Sequence, residues 1–347
     1  MKAKKYIKVF LLLSLLFLAF HSLTWNLITK QLFIQKDNMV IGDLGRISYS
    51  LNSLTVRKNE QNLLSKHIEY TDNIEIDILT IGDSFSNGGA AGPNRYYQDY
   101  ISTKNDLRVM NMQSNKEGFI ETVLTLMKSG HLDILKPKAI ILQTAERNAI
   151  ARYSKKINWD INLKDSSTYF INKKYINRKP IPSFINNLNY NAVLYSLLYQ
   201  YDDNAYFSNV YKVDMSKKLF SCKDKSKLLF YNKDLKYILN TNTTAVKLLN
   251  DNLNKLQNIL HEKNIQLYFM PVVDKYNLYS KYIINNNYPK SIFFEELRPL
   301  NKHYEFIDTK KILAKKLDEN IKDVYYSDDS HWSFIGIEAV FENIEFK

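Results

Sequence analysis

The sequence predicts an α/β fold: a three-layer α/β/α domain with a central parallel sheet, preceded by one N-terminal transmembrane helix. Three observations point there. Short apolar stretches of strand length alternate with helical patterns, the rhythm of parallel strands joined by crossover helices. The chain has 347 residues, of which 45% are hydrophobic and 24% charged, enough to bury a large core and too apolar for wholesale disorder. A single apolar run of about twenty residues, 9–28, matches the length of a bilayer-crossing helix.

Residues 1–8 carry Lys2, Lys4, Lys5 and Lys8, the basic flank expected on the cytoplasmic side. The run 9–28 ends with Trp25 near the expected outer interface. Ala19 is followed by Phe20 and His21, a poor cleavage site, so an uncleaved signal anchor is expected, with the body outside the cytoplasm. Residues 37–73 read as a short polar approach segment, and 74–347 as the main domain. Strands are expected at 76–81, 107–112, 139–142, 265–273 and 304–307. Helical spacing is seen at 118–127 and in the stripe Leu249, Leu253, Leu256 and Leu260, with Thr243 or Thr244 as its cap. Further helices are expected to run to Leu317 and to begin near Phe334. The stretch 151–243 breaks the rhythm and reads as an insertion, partly helical near 191–201, rich in Lys, Asn, Tyr and Phe.

Charge is uneven. The net +12 divides into +4 from the N-terminal lysines, +9 from residues 151–243 and about −1 elsewhere. A neutral body with a basic leader and a basic insertion is not a nucleic-acid binder. The lone Cys222 can form no internal disulfide, and no cysteine pair is spaced for zinc.

Two separated loops hold the chemistry. Gly82, Asp83 and Ser84 directly follow the first strand, where a glycine-permitted turn would project a serine at the sheet's carboxyl edge and let its own N–H bind an oxyanion. Ser84 as a mere helix cap is the equal alternative. Near the C-terminus stand Asp328, Asp329, Ser330, His331 and Trp332. An imidazole can take the proton of a serine, with a carboxylate orienting the ring. The other histidines (His21, His67, His131, His261 and His303) have no such setting. A metal site on Asp328, Asp329 and His331 lacks a second histidine at ligand spacing, and no metal or cofactor is expected.

The segments GDSFS and DDSHW, in this order, resemble the first and last blocks of the SGNH/GDSL hydrolase superfamily. YYSDDSHWSFIG and MPVVDKYNLYSKYI resemble its alginate O-acetyltransferase-like branch, with one extra residue between Pro271 and Asp274. The resemblance covers about residues 70–150 and 244–345. It implies Ser84 as nucleophile and His331 as base. The acid would be Asp329 by the branch's spacing or Asp328 by the wider superfamily's. Gly82, Asp83, Asp274, Lys275 and Trp332 would support the motifs. The superfamily's Gly-x-Asn block is missing after AIILQ, so the oxyanion donors are sought among Ser114, Gly118, Arg147 and Asn148; a Glu146–Arg147 ion pair is the alternative role for that arginine.

The resemblance further implies an extracytoplasmic, membrane-anchored O-acyltransferase, with acetyl as the family's acyl group. A membrane-bound O-acyltransferase would be the donor partner and a secreted or cell-wall polysaccharide the acceptor. The same triad would serve a carbohydrate or lipid esterase. A third alternative is a non-enzymatic anchored scaffold of a polysaccharide export or modification system. In the insertion, Trp159, Tyr169, Tyr190, Tyr195 and Tyr199 could stack on sugars, though core packing explains most of them more simply.

Overall fold

A computed structural model describes residues 2–34, 41–57, 62–71, 74–90, 92–115, 117–161, 163, 182–342 and 344–346. The chain begins with helix α1 (Lys2–Thr24), which runs through a π turn (Trp25–Thr29) into α2 (Lys30–Phe33). Ala3–Phe33 is one continuous helix, apolar and long enough to cross a membrane, with most of its surface unburied. Short helix α3 (Asp43–Ser48) and edge strand β1 (Ile68–Glu69) follow. Then come β2 (Ile78–Gly82), α4 (Tyr97–Asn105), β3 (Val109–Gln113), α5 (Phe119–Lys128), α6 (His131–Leu135), β4 (Ala139–Ala145) and α7 (Glu146–Tyr153).

The insertion supplies α8 (Asn187–Leu198) and an antiparallel hairpin of β5 (Val210–Asp214) and β6 (Lys227–Tyr231). The chain returns through α9 (Asn232–Ile238), α10 (Thr243–His261), β7 (Gln266–Val272), α11 (Lys275–Tyr279), α12 (Phe293–Leu297), β8 (Glu305–Phe306), α13 (Thr309–Asp318) and α14 (Phe334–Phe341).

Six strands form one sheet in the order β1-β3-β2-β4-β7-β8, and every ladder in it is parallel. Every residue of β2 and β4 is buried, as expected of strands covered on both faces. The flanking helices lock by their rings. Tyr97 of α4 stacks on Phe341 of α14 at 5.2 Å, and Tyr153 of α7 meets Phe119 of α5 at 5.8 Å and Phe269 of β7 at 5.1 Å. The chain leaves β2 toward β3 on one side and then crosses to β4 on the other. Such a reversal opens a crevice at the carboxyl ends of the strands, directly beyond Gly82.

Two expectations are corrected. The cap of α10 is Asn242, whose Oδ1 accepts from the Ala245 N–H; neither threonine caps it, because they already lie in the first turn. The segment 37–73, expected as a polar approach, is built into the body where it is described: Leu44 is fully buried against Val210 and Leu229, and Ile68 pairs with Met110. Tyr169 lies outside the described residues.

Candidate active site

Gly82 ends β2 where no side chain fits: a Cβ there would lie 1.9 Å from Ser86 Oγ and 2.4 Å from Gln143 Oε1. Asp83 then anchors the turn. Its carboxylate accepts from the Ala145 N–H at 2.8 Å, Arg152 Nη1 at 2.5 Å, Gln143 Nε2 at 3.0 Å and the Phe85 N–H at 3.2 Å. Burial would raise its pKa, but Arg152 and these donors hold it below the usual carboxylate range. The turn is thus pinned to the end of β4, and Ser84 at its tip is exposed. The Ser84 N–H donates to no group among the described residues, which leaves it free for an oxyanion.

His331 faces it. Ser84 Oγ lies 2.8 Å from His331 Nε2, and His331 Nδ1 lies 2.7 Å from Asp329 Oδ1. Asp329 also accepts from the His331 N–H at 3.1 Å and from Arg57 Nη2 at 2.8 Å. Burial alone would raise the Asp329 pKa; the His331 hydrogen bond and the charges of Arg57 and His331 outweigh it and hold the group at about 2. Conversely, burial would lower the His331 pKa, but Asp329 and, through its charge, Asp43 raise it above the usual value.

The choice between the two aspartates is decided by contacts. Asp328 points away from the ring. It accepts from the Gly42 N–H at 2.8 Å and lies 3.5 Å from Arg57, fully buried, with its pKa raised to about 6, chiefly by that burial. Gly42 and Gly45 make this approach possible, since a Cβ on Gly42 would sit 2.0 Å from the Asp328 carbonyl oxygen.

Lys275 serves the same loop. It is buried, and its Nζ donates to the carbonyls of Tyr326, Ser327 and Asp329 at 2.7, 2.9 and 3.0 Å, closing the loop around one cation. Burial lowers its pKa to about 8. Lys275→Met leaves three buried carbonyls without this donor. It should cost roughly 3 kcal/mol of stability, read as a lower unfolding midpoint in denaturant. An unchanged midpoint would mean the loop holds itself. Trp332 is buried, edge-on to Phe85 at 5.4 Å and to Tyr97 at 6.2 Å, while Phe85 packs on His331 at 4.7 Å. These rings fasten the serine loop to the histidine loop.

The expected oxyanion donors fare unequally. Arg147 is committed elsewhere: its guanidinium lies 2.5 Å from Asp274 and 3.3 Å from Asp234. Its partners are these two aspartates. Glu146 instead accepts from the Asp274 N–H and from Asn277 and Ser291. Gly118, at φ +145°, donates its N–H to Asn115 and precedes α5. Ser114 follows Gln113, the register partner of Gly82, and so lies one residue past the same sheet edge as the Ser84 turn. Asn148 is half-buried on α7 and has no side-chain hydrogen bond among the described residues.

Sequence reasoning missed Arg57, Asp43, Gly42 and Gly89. None sits in a motif, and the first three lie in the segment read as a spacer. Asp43 accepts from the Ser330 N–H at 2.8 Å and from Ser330 Oγ at 2.6 Å. Ligand atoms of Asp43, Asp329 and His331 lie within 4.8 Å of one another, but hydrogen bonds among them and to Ser330 already engage them. Because the base must be neutral to accept a proton, activity should fall as pH drops through the raised His331 pKa, so the acidic limb of kcat/KM should lie above about 6.5. Asp43→Asn removes one charge that favours the imidazolium and should move that limb to lower pH. A limb that stays fixed would show that Asp43 does not act on the ring.

No family model, curated protein or solved structure matches the chain.

Proposed function

We propose that this is a membrane-anchored, SGNH-like serine O-acyltransferase. The observation that carries the reading is the continuous chain from exposed Ser84 Oγ through His331 to Asp329, at 2.8 and 2.7 Å. As Ser84 Oγ attacks an acyl carbonyl, His331 Nε2 takes its proton and Asp329 stabilises the imidazolium. The proton passes to the leaving group, and the acyl group stays as an ester on Ser84. An acceptor hydroxyl then gives its proton to His331, attacks the ester and frees the serine.

Transfer is favoured by how the site is tethered. Phe33, at the end of the long apolar helix, lies 6.1 Å ring to ring from Tyr49, just after α3, while Asp43 at the start of α3 binds the catalytic loop. The six residues of α3 span only about 9 Å. The catalytic loop is thus held close to the end of the anchor, which raises the effective concentration of a membrane-bound acyl donor. The basic residues before the anchor favour an extracytoplasmic catalytic domain in the cell membrane. A membrane-bound O-acyltransferase as donor and an envelope or secreted polysaccharide as acceptor suit this arrangement, with acetyl as the group carried. The exposure of Ser84 favours a second reading, an esterase with water as acceptor.

The test incubates the full chain in detergent, as wild type and Ser84→Ala, with 4-nitrophenyl acetate and oligosaccharide acceptors. Acetylated sugar formed only with Ser84 intact is the expected result, with a loss on the order of 10⁴-fold or more in the variant. Nitrophenolate without acetylated sugar would select the esterase. Equal behaviour of the two proteins in both channels would defeat the serine mechanism.

A further inference from the structure

Helix α8 lies in a stretch, residues 182–201, that contains no Asp, Glu, Lys, Arg or His, inside an otherwise basic insertion. Apart from Asn187 and Ser196, its exposed side chains are apolar or aromatic, and these fall on one face. Tyr190, Leu194, Leu197 and Tyr201, at helical spacing, are 48, 43, 51 and 77% exposed, and Ile185 just before the helix is 46% exposed. A charge-free stripe of this kind is costly to leave in water.

This helix is packed against α1. Phe20 stacks on Tyr190 at 4.9 Å, Trp25 meets Phe184 at 6.4 Å, and His21 is 1% exposed. The two nitrogens of the His21 ring are both engaged by the α8 helix, Nδ1 by Asn189 Nδ2 at 2.7 Å and Nε2 by Tyr190 OH at 3.2 Å. The contact residues 20–25 precede the end of the apolar run 9–28 by eight to three positions. At a helical rise that is about 12 to 5 Å inside the bilayer boundary. An imidazole at that depth needs a polar partner, and α8 provides two.

We propose that α8 is an interfacial helix, embedded in the outer headgroup and acyl boundary of the membrane that α1 crosses, with its exposed stripe covered by lipid. The inference rests on α1 spanning a membrane. Its depth matches that of amphipathic helices lying in the interface plane, about 5–10 Å. The continuity with α1 selects the occupant: a surface bound along an outer-leaflet segment meets that segment's lipids. Docked at two points, the domain cannot swivel freely about its anchor, and the catalytic loop keeps one orientation toward the bilayer.

The experiment uses the full chain with Cys222→Ser, reconstituted in nanodiscs of phosphatidylcholine and phosphatidylglycerol. Single variants Leu194→Cys, Leu197→Cys, Leu13→Cys and Glu262→Cys carry an environment-sensitive fluorophore at exposed positions. The labels at 194 and 197 should emit to the blue of the label at 262. They should be quenched by doxyl lipid at least half as strongly as the label at 13, and resist aqueous iodide. If iodide quenches 194 and 197 while lipid quenches 13, α1 is anchored but α8 is not embedded, and the inference falls. If iodide quenches 13, the anchor itself fails and takes the inference with it. If 194 and 197 resist both quenchers, protein covers the face, a second copy or another membrane protein, and lipid is overturned as the occupant.

Discussion

Asp329→Asn should lower kcat by about 10⁴-fold while the protein stays folded. The amide can still meet His331 Nδ1, but it cannot compensate the imidazolium, and it permits the tautomer that presents a proton to Ser84 instead of accepting one. The effect should appear in kcat more than in KM, because the stabilised charge exists only after proton transfer. Asp328→Asn provides the contrast. Its side chain accepts from the Gly42 N–H, lies 3.5 Å from Arg57 and makes no hydrogen bond to the ring among the described residues. An amide oxygen can replace that acceptor, so activity should stay within about tenfold of wild type, the scale of one hydrogen bond. Steady-state kinetics of the pair, with circular dichroism to verify folding, checks the assignment. If Asp328→Asn were the inactive variant, the triad drawn here would be wrong.

Gly89→Ala should abolish most activity without destabilising the fold. Gly89 is exposed, and its N–H donates to the Ser84 carbonyl at 2.7 Å. A Cβ there would lie 2.4 Å from His331 Nε2 and 2.8 Å from the Ser84 carbonyl oxygen. The ring cannot yield without breaking its 2.7 Å contact with Asp329, so the serine–histidine geometry must open instead. A displacement near 1 Å is enough to cost about 100-fold. The measurement is the rate of acyl-enzyme formation, with the thermal midpoint alongside it. Wild-type rates in Gly89→Ala would mean that the loop relaxes freely around the methyl group.

The parts of this molecule that depend on local pattern were legible in the sequence. The strands at 78–82, 109–113, 139–145 and 266–272 stand out because parallel strands covered on both faces must be largely apolar. The helix of the leucine stripe follows from its 3.6-residue period, and the long N-terminal helix from twenty uncharged residues. Ser84 and His331 were legible because a strand-end turn and an acidic-histidine loop have compact signatures.

The positioning groups were not legible. Arg57 lies 271 residues from Asp328 and 272 from Asp329, Asp43 lies 287 residues from Ser330, and Gly42 lies 286 residues from Asp328. Each is an ordinary residue in a short polar stretch, and only the packing of that stretch under the C-terminal loop gives it work. Arg147 shows the reverse: its place after β4 suits an oxyanion donor, yet two buried aspartates claim its charge first, since an unpaired buried carboxylate is costly.

By itself, then, the sequence determined the alternation of strands and helices, the long apolar N-terminal helix and the two loops that carry Ser84 and His331, because periodicity and short-range turn chemistry are local. Only the tertiary structure decided which aspartate holds the histidine, which cations fix the histidine loop, and that α8 packs against the long apolar helix. Those choices turn on distances across the sheet edge, where side chains from distant segments compete for the same few buried hydrogen bonds.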